Sequence, residues 1–298
     1  MTTSSFPFEV YHDDYKKFIE ELGKFSNSWI FRGQMNADWE LIPSIARIRK
    51  KNLESNFIEK NMILQFKNSF HNYYLDSSNK IESKIETFAL GQHYGLPTRL
   101  LDFTKSPYIA CYFALKPIIN DLVYSSPKKN TRKAKFGIWA INNDDLYDHS
   151  LYIFKSNISI INSYYGYAPP EDDEALYEKF NEIESLIGHS YTNMIDYDLD
   201  EPLSDFIFPI ENFYSNKRSD LQQSIFLCPT SLDTSFHKLI EDFGISRTTR
   251  KPVRLITCNQ ENAISIFQEL QKFNINPLSL NGDIQGSIEN IILRNTIF

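Results

Sequence analysis

Seven polar side chains crowd one short segment of the chain, Gln92, His93, Thr98, Arg99, Asp102, Thr104 and Ser106, with apolar runs on both sides. A polar group carried into a core without a partner costs about 1–3 kcal/mol. These groups therefore either satisfy one another or hold a ligand. Arg99 and Asp102 stand three apart and could pair as ions. Asp102 could instead cap the helix that begins near Pro107, a position that Thr104 and Ser106 suit better. His93 beside an apolar helix reads as a satisfied core histidine or as a ligand-facing group.

A second candidate lies earlier, in Trp29-Ile30-Phe31-Arg32-Gly33-Gln34. A short apolar strand runs straight into a permanent cation. An arginine cannot shed its charge, so Arg32 needs a carboxylate, carbonyls or an anionic ligand. Gly33, having no side chain, lets a ligand or a second chain segment approach. The phosphates of a nucleotide and a structural salt bridge both suit these residue types.

Other chemistries find no support. GxxxxGK[ST], GxGxxG and GxSxG are all absent from the sequence. The six histidines (12, 71, 93, 149, 189 and 237) show no metal-ligand spacing, so no metal is expected. The three cysteines, Cys111, Cys228 and Cys258, form no CxxC pair and fit a reducing, cytoplasmic setting. A net charge of −7 argues against a broad grip on nucleic acid or an anionic membrane, and leaves room for a local basic site. No apolar run reaches the ~18 residues of a membrane span, and the first residues lack the basic-then-apolar pattern of a secretion signal.

The elements that must position these groups read as an α+β mix, a mixed or antiparallel sheet core with flanking helices. Helical spacing covers Val10–Gly23, Asn52–Tyr74, Glu86–His93, Ser106–Lys116, Glu261–Phe273 and Gly282–Arg294. Pro117 is expected to end the fourth of these, with a polar connector following to Lys135. Strands are expected at Ser28–Arg32, Phe136–Ile141, Phe206–Pro209, Gln223–Cys228 and Val253–Thr257. Residues 142–202 turn polar and acidic, with a helix expected around Glu174–Ile187, and read as an elaboration on the core.

Phe31-Arg32-Gly33-Gln34, followed by Trp39, Leu41, Pro43, Ser44 and Arg47, resembles the opening of the FRG domain family. Gln92 through Thr104, then Ser106-Pro107, Ala110 and Phe113-Ala114, is similar to that family's most recognisable block. Asn216, Arg218, Gln222 and Phe226 resemble a later block, with Ser224 where the family usually has glycine. The resemblance implies a single FRG domain over 10–295, with a variable insertion at about 142–202.

It also implies a bacterial or bacteriophage protein, and a toxin-like role in anti-phage defence. The implied layout is similar to ADP-ribosyltransferases, with NAD as co-substrate and either ADP-ribosyl transfer or NAD glycohydrolysis as the activity. In that scheme Arg32, Gly33 and Gln34 hold the NAD phosphates or ribose. Gln92, His93, Thr98, Arg99 and Ser106 line the nucleotide site, and Thr104 takes the second-strand position. Gln222 stands near the third-strand position, where those enzymes carry a glutamate. A glutamine cannot act as a carboxylate, so Asp102 or Glu86 would supply one. The alternative is a nucleotide or nucleic-acid binding module without NAD turnover. A third reading is an interaction domain whose polar block is internal structure. Partners on the first two readings are a nucleotide ligand and a protein or nucleic-acid acceptor, with no membrane.

Overall fold

The computed structural model describes residues 8–48, 55–73, 84–124, 134–165, 174–175, 204–211, 217–247 and 250–297. Their elements follow in chain order: β1 Glu9–His12, α1 Tyr15–Leu22, β2 Trp29–Gln34, α2 Ser55–Tyr73, α3 Lys84–His93, β3 Leu101–Thr104, α4 Pro107–Tyr124, β4 Lys135–Asn142, α5 Asn143–Tyr165, β5 Ile207–Glu211, α6 Lys217–Leu221, β6 Ser224–Pro229, α7 Phe236–Ser246, β7 Val253–Asn259, α8 Ala263–Lys272, α9 Pro277–Asn281 and α10 Ile284–Thr296. The strands form one seven-stranded mixed sheet in the order β1-β7-β4-β2-β3-β6-β5. Only β1 and β7 run parallel; the other neighbours are antiparallel. The α+β expectation therefore holds.

Strand alternation divides the core. Phe31, Phe136, Ile138 and Ala140 face α1, α4 and α8, whereas Ile30, Trp139 and Ile141 face the cluster built around Phe236, Ile240 and Phe243 of α7. A third cluster joins Ile85 and Phe88 of α3 to Phe154 of α5 and Phe208 of β5. No helix among the described residues is long and apolar enough to cross a membrane.

Three local expectations are corrected. The single helix expected over Val10–Gly23 is a strand followed by a helix. Glu9–His12 pairs with β7 from Leu255 to Cys258, and Asp14 then caps α1 by accepting from the Lys16 and Lys17 main-chain N–H groups. Pro117 does not end α4, which continues to Tyr124. A proline inside a helix costs about 3 kcal/mol, but Ile118 and Ile119 beyond it are buried. Each such side chain contributes about 1.5–3 kcal/mol, enough to carry the helix through. The segment after residue 142 is no mere elaboration at its start. In α5, Leu146, Ser150, Phe154 and Asn157 form one buried stripe, and Asn157 clamps Ser204 by exchanging two hydrogen bonds with its main chain. The helix expected at Glu174–Ile187 lies outside the described residues apart from Glu174 and Ala175, which are helical.

Candidate functional site

The central strand β2 makes six register pairs with β4, from Trp29↔Asn142 to Gln34↔Gly137. With β3 it makes one, Phe31↔Thr104. Beyond that pair the sheet parts. Arg32 spans the gap: its Nη1 donates to the main-chain oxygen of Asp102 at 2.7 Å, where a ladder partner would otherwise stand. A cavity of about 350 Å³ occupies the opening, at the small end of ligand-sized pockets. β2 and β3 form two of its walls, α4 a third through Ala110 and Phe113, and Arg218, Gln222 and Ser224 the fourth.

The Arg32 side chain is 23% exposed, yet its Nε is sealed from solvent and has no hydrogen-bond partner among the described residues. The Asp102 carboxylate stands 3.9 Å from Nη1, too far for a hydrogen bond, and is itself 62% exposed. Burial pulls the guanidinium's pKa down, Asp102 opposes that, and the neighbouring charge of Arg47 adds to it. The group remains a cation. It is thus incompletely paired, partly desolvated and pressed by a second arginine. Arg218, exposed on α6, faces the same cavity and has no ion-pair partner among the described residues. Two guanidinium groups against one carboxylate line this cavity, in a chain whose net charge is −7.

All four residues expected to be catalytic, Arg32, Asp102, Thr104 and Gln222, line the cavity. Two of them are tied into the scaffold. The Thr104 hydroxyl donates to the Gln222 main-chain oxygen at 2.7 Å and accepts from the Ser106 N–H, which fastens the end of β3 to the turn before β6. The Gln222 side chain donates its Nε2 to the Leu280 carbonyl of α9, so that amide group holds the C-terminal segment.

The wider set expected to hold a nucleotide divides. Gly33 is on the cavity, but a Cβ there would sit 1.9 Å from the Ala110 carbonyl oxygen and 2.8 Å from the Ala114 nitrogen. Of the two roles open to this glycine, the second chain segment is the one seen: α4 rests on it. Gln34 lies off the cavity, accepting from the Trp139 indole at 2.8 Å and donating to the Glu40 carbonyl. Ser106 caps α4 by accepting from the Ile109 N–H. His93 is exposed at the end of α3, edge-on to Tyr94.

Arg99 does not reach the cavity or pair with Asp102. It is 3% exposed and locked to Glu59 of α2: Nη2 approaches Oε2 at 2.6 Å, Nε donates to the same oxygen at 2.7 Å, and the Arg99 main-chain N–H donates to Oε1. Its Nη1 donates to the carbonyls of Pro229 and Thr230. Gln92 and Thr98 stand behind Asp102. The Thr98 hydroxyl donates to Gln92 Oε1, and Gln92 Nε2 donates to Asp102 Oδ1 at 2.8 Å. Glu86, the other candidate carboxylate, is on α3 and off the cavity.

Arg218 is the residue that motif reading left without a role, although it sits inside a quoted block; an arginine four residues before Gln222 was the available signal. Phe103 and Phe113 were likewise unassigned. The three cysteines are free and buried. Burial pushes the Cys228 thiol up to about 12, and it also raises those of Cys111 and Cys258. None is a ready nucleophile. No group of three or more potential metal ligands occurs among the described residues.

A family model described as the FRG domain matches residues 27–121. That span runs from the approach to β2 through most of α4, and so holds three of the four cavity walls; Arg218, Gln222 and Ser224 lie beyond it. No curated protein and no solved structure matches the chain.

Proposed function

We propose, for a chain that carries an FRG domain over residues 27–121, that the cavity binds a phosphate-bearing nucleotide and that its substrate is NAD. The observation that carries this is the joint presence of Arg32, Arg218 and the exposed Asp102 carboxylate on one cavity at the parting of the sheet. Two arginines offer planar donor forks to phosphate oxygens. The Arg32 side chain is 23% exposed, so it stays open to a ligand in the cavity although its Nε is sealed. About 350 Å³ takes one nucleotide-sized half of NAD, leaving the rest at the open mouth.

In the reaction, the bond between ribose C1′ and the nicotinamide nitrogen breaks, and its electron pair leaves with the ring, which becomes neutral nicotinamide. Positive charge passes to the ribose C1′ and ring oxygen. The Asp102 carboxylate is the anion able to stabilise it. Water then adds at C1′ and releases its proton to solvent, giving ADP-ribose. A nucleophile on a protein or nucleic-acid acceptor in place of water would make the reaction a transfer. Such a role suits a toxin-like effector of anti-phage defence.

Nicotinamide release from NAD, with calorimetric binding of NAD and ADP-ribose, is the test. Arg32→Ala is expected to weaken binding roughly 10- to 100-fold, the loss of one charge-assisted hydrogen bond at about 1.5–3 kcal/mol. Asp102→Asn is expected to bind normally and to release nicotinamide on the order of 100-fold more slowly. A protein that neither binds nor cleaves NAD sinks the proposal. Binding without release supports the second reading, a nucleotide sensor without turnover. The observation behind that reading is Gln222, an amide where those enzymes carry an acid, tied to Leu280.

A further inference from the structure

Asp102 is the exposed carboxylate on the cavity, and an exposed carboxylate is free to rotate unless something fixes it. Gln92 and Thr98, expected to touch the nucleotide, touch the back of Asp102 instead. Their hydrogen bonds have a single consistent direction. The Thr98 main chain is pinned on both sides by the Ser44 hydroxyl, which accepts from the Thr98 N–H at 2.9 Å and donates to the Thr98 carbonyl at 3.1 Å. The Thr98 hydroxyl accepts from the Leu100 N–H at 3.2 Å. Its own proton is thereby left to donate, and it goes to Gln92 Oε1. With that oxygen engaged, the amide can present only its Nε2 to Asp102, where it donates to Oδ1 at 2.8 Å. Oδ2 is the carboxylate oxygen left on the Arg32 side.

We propose that Gln92 is a positioning residue that holds Asp102 with Oδ2 toward the ligand, and that Thr98 fixes which end of the Gln92 amide faces the carboxylate. Without the Thr98 hydroxyl the amide is free to turn, and an amide oxygen set against a carboxylate repels it. The role explains the six-residue spacing from Gln92 to Thr98: the helix end and the turn after it bring an amide and a hydroxyl together behind one strand residue. This inference rests on the cleavage reading above, with Asp102 acting on the ribose.

The experiment measures nicotinamide release and ADP-ribose affinity for wild type, Gln92→Leu, Thr98→Val, Thr98→Ser and the Gln92→Leu/Thr98→Val pair. Gln92→Leu and Thr98→Val are each expected to lower kcat roughly 10- to 100-fold, with KM and the ADP-ribose Kd within about twofold of wild type, because Arg32 and Arg218 still hold the phosphates. Thr98→Ser keeps the hydroxyl and is expected to keep kcat. The double variant is expected to be no slower than Gln92→Leu alone, since the two act through one contact. Full kcat in Gln92→Leu, multiplying losses in the pair, or Thr98→Ser failing as Thr98→Val does would each overturn the positioning role while leaving cleavage standing. Absence of turnover in wild type overturns the cleavage reading, and the positioning role with it.

Discussion

Arg32 follows the apolar run Trp29-Ile30-Phe31 and Arg99 precedes Leu100 and Leu101, and the two should respond to mutation in opposite ways. Arg99→Met removes the cation from a sealed pair. It leaves the Glu59 carboxylate, 2% exposed, with the Arg99 main-chain N–H as its remaining donor from that residue, and it strips a donor from the Pro229 and Thr230 carbonyls. Breaking a buried ion pair on one side costs about 3–5 kcal/mol. For a chain of this size each kcal/mol shifts the midpoint by about 2–4 °C, so a fall of roughly 10 °C is expected in a thermal scan, with a matching loss in urea unfolding. The Glu59→Leu/Arg99→Met pair should recover most of the loss, because replacing both charges with apolar groups of similar volume is often neutral. Arg32→Ala, by contrast, removes a partly exposed side chain with one main-chain hydrogen bond and should cost about 1 kcal/mol, while weakening the proposed nucleotide binding roughly 10- to 100-fold. Should Arg99→Met melt with the wild type, or Arg32→Ala unfold the protein, the assignment of one arginine to the scaffold and the other to the cavity is wrong.

Gly33→Ala should destabilise by about 3 kcal/mol, since its Cβ would lie over 1 Å inside normal contact with the Ala110 carbonyl and α4 would have to move; an unchanged melting temperature would contradict the close approach of helix and strand. His149 titrates below its ordinary range because it is half-buried and feels the charge of Arg247. A base whose folded pKa is depressed binds its proton later in the native state than in the unfolded one. Stability should therefore be full above pH ~6.5 and fall as the pH drops below it. His149→Phe, which keeps a ring against Phe243, should flatten that part of the profile; parallel curves for the two proteins between pH 7.5 and 5.5 would refute the assignment.

What could be read in advance followed the range of the interaction. The apolar run of Trp29, Ile30 and Phe31, and the buried helix from Ser106, announce themselves locally. β1 does not: its register depends on Leu255 to Cys258, about 250 residues on, and its own spacing equally suits a helix. Pro117 misleads for the converse reason, since its local cost is outweighed by burial that only the packed helix reveals. The helix Phe236–Ser246, not among the expected elements, does carry a local signal: Phe236, Ile240 and Phe243 keep helical spacing behind Ser235, whose hydroxyl accepts from the Lys238 N–H. Arg32 and Arg99, both expected in the site, are alike as residue types. What separates them is Glu59, 40 residues before Arg99 and on α2.

The cavity itself follows from a few adjacent choices along β2 and β3. Gly33 lets α4 settle onto the strand, which places Ala110 and Phe113 over the sheet. β3 keeps a single register pair with β2, so the carbonyl of Asp102 would lack a strand partner there, and Arg32 turns in to take it. That contact satisfies the carbonyl but leaves the guanidinium with charge to spare and Nε unpaired. Its obvious neutralising partner, the Asp102 carboxylate, is drawn instead toward Gln92. A scaffold that wanted only a salt bridge would close the gap from 3.9 Å to hydrogen-bonding distance. Cation and carboxylate instead stand 3.9 Å apart at the edge of the cavity, each held by other groups, which suits the proposed ligand with its phosphate and developing positive charge.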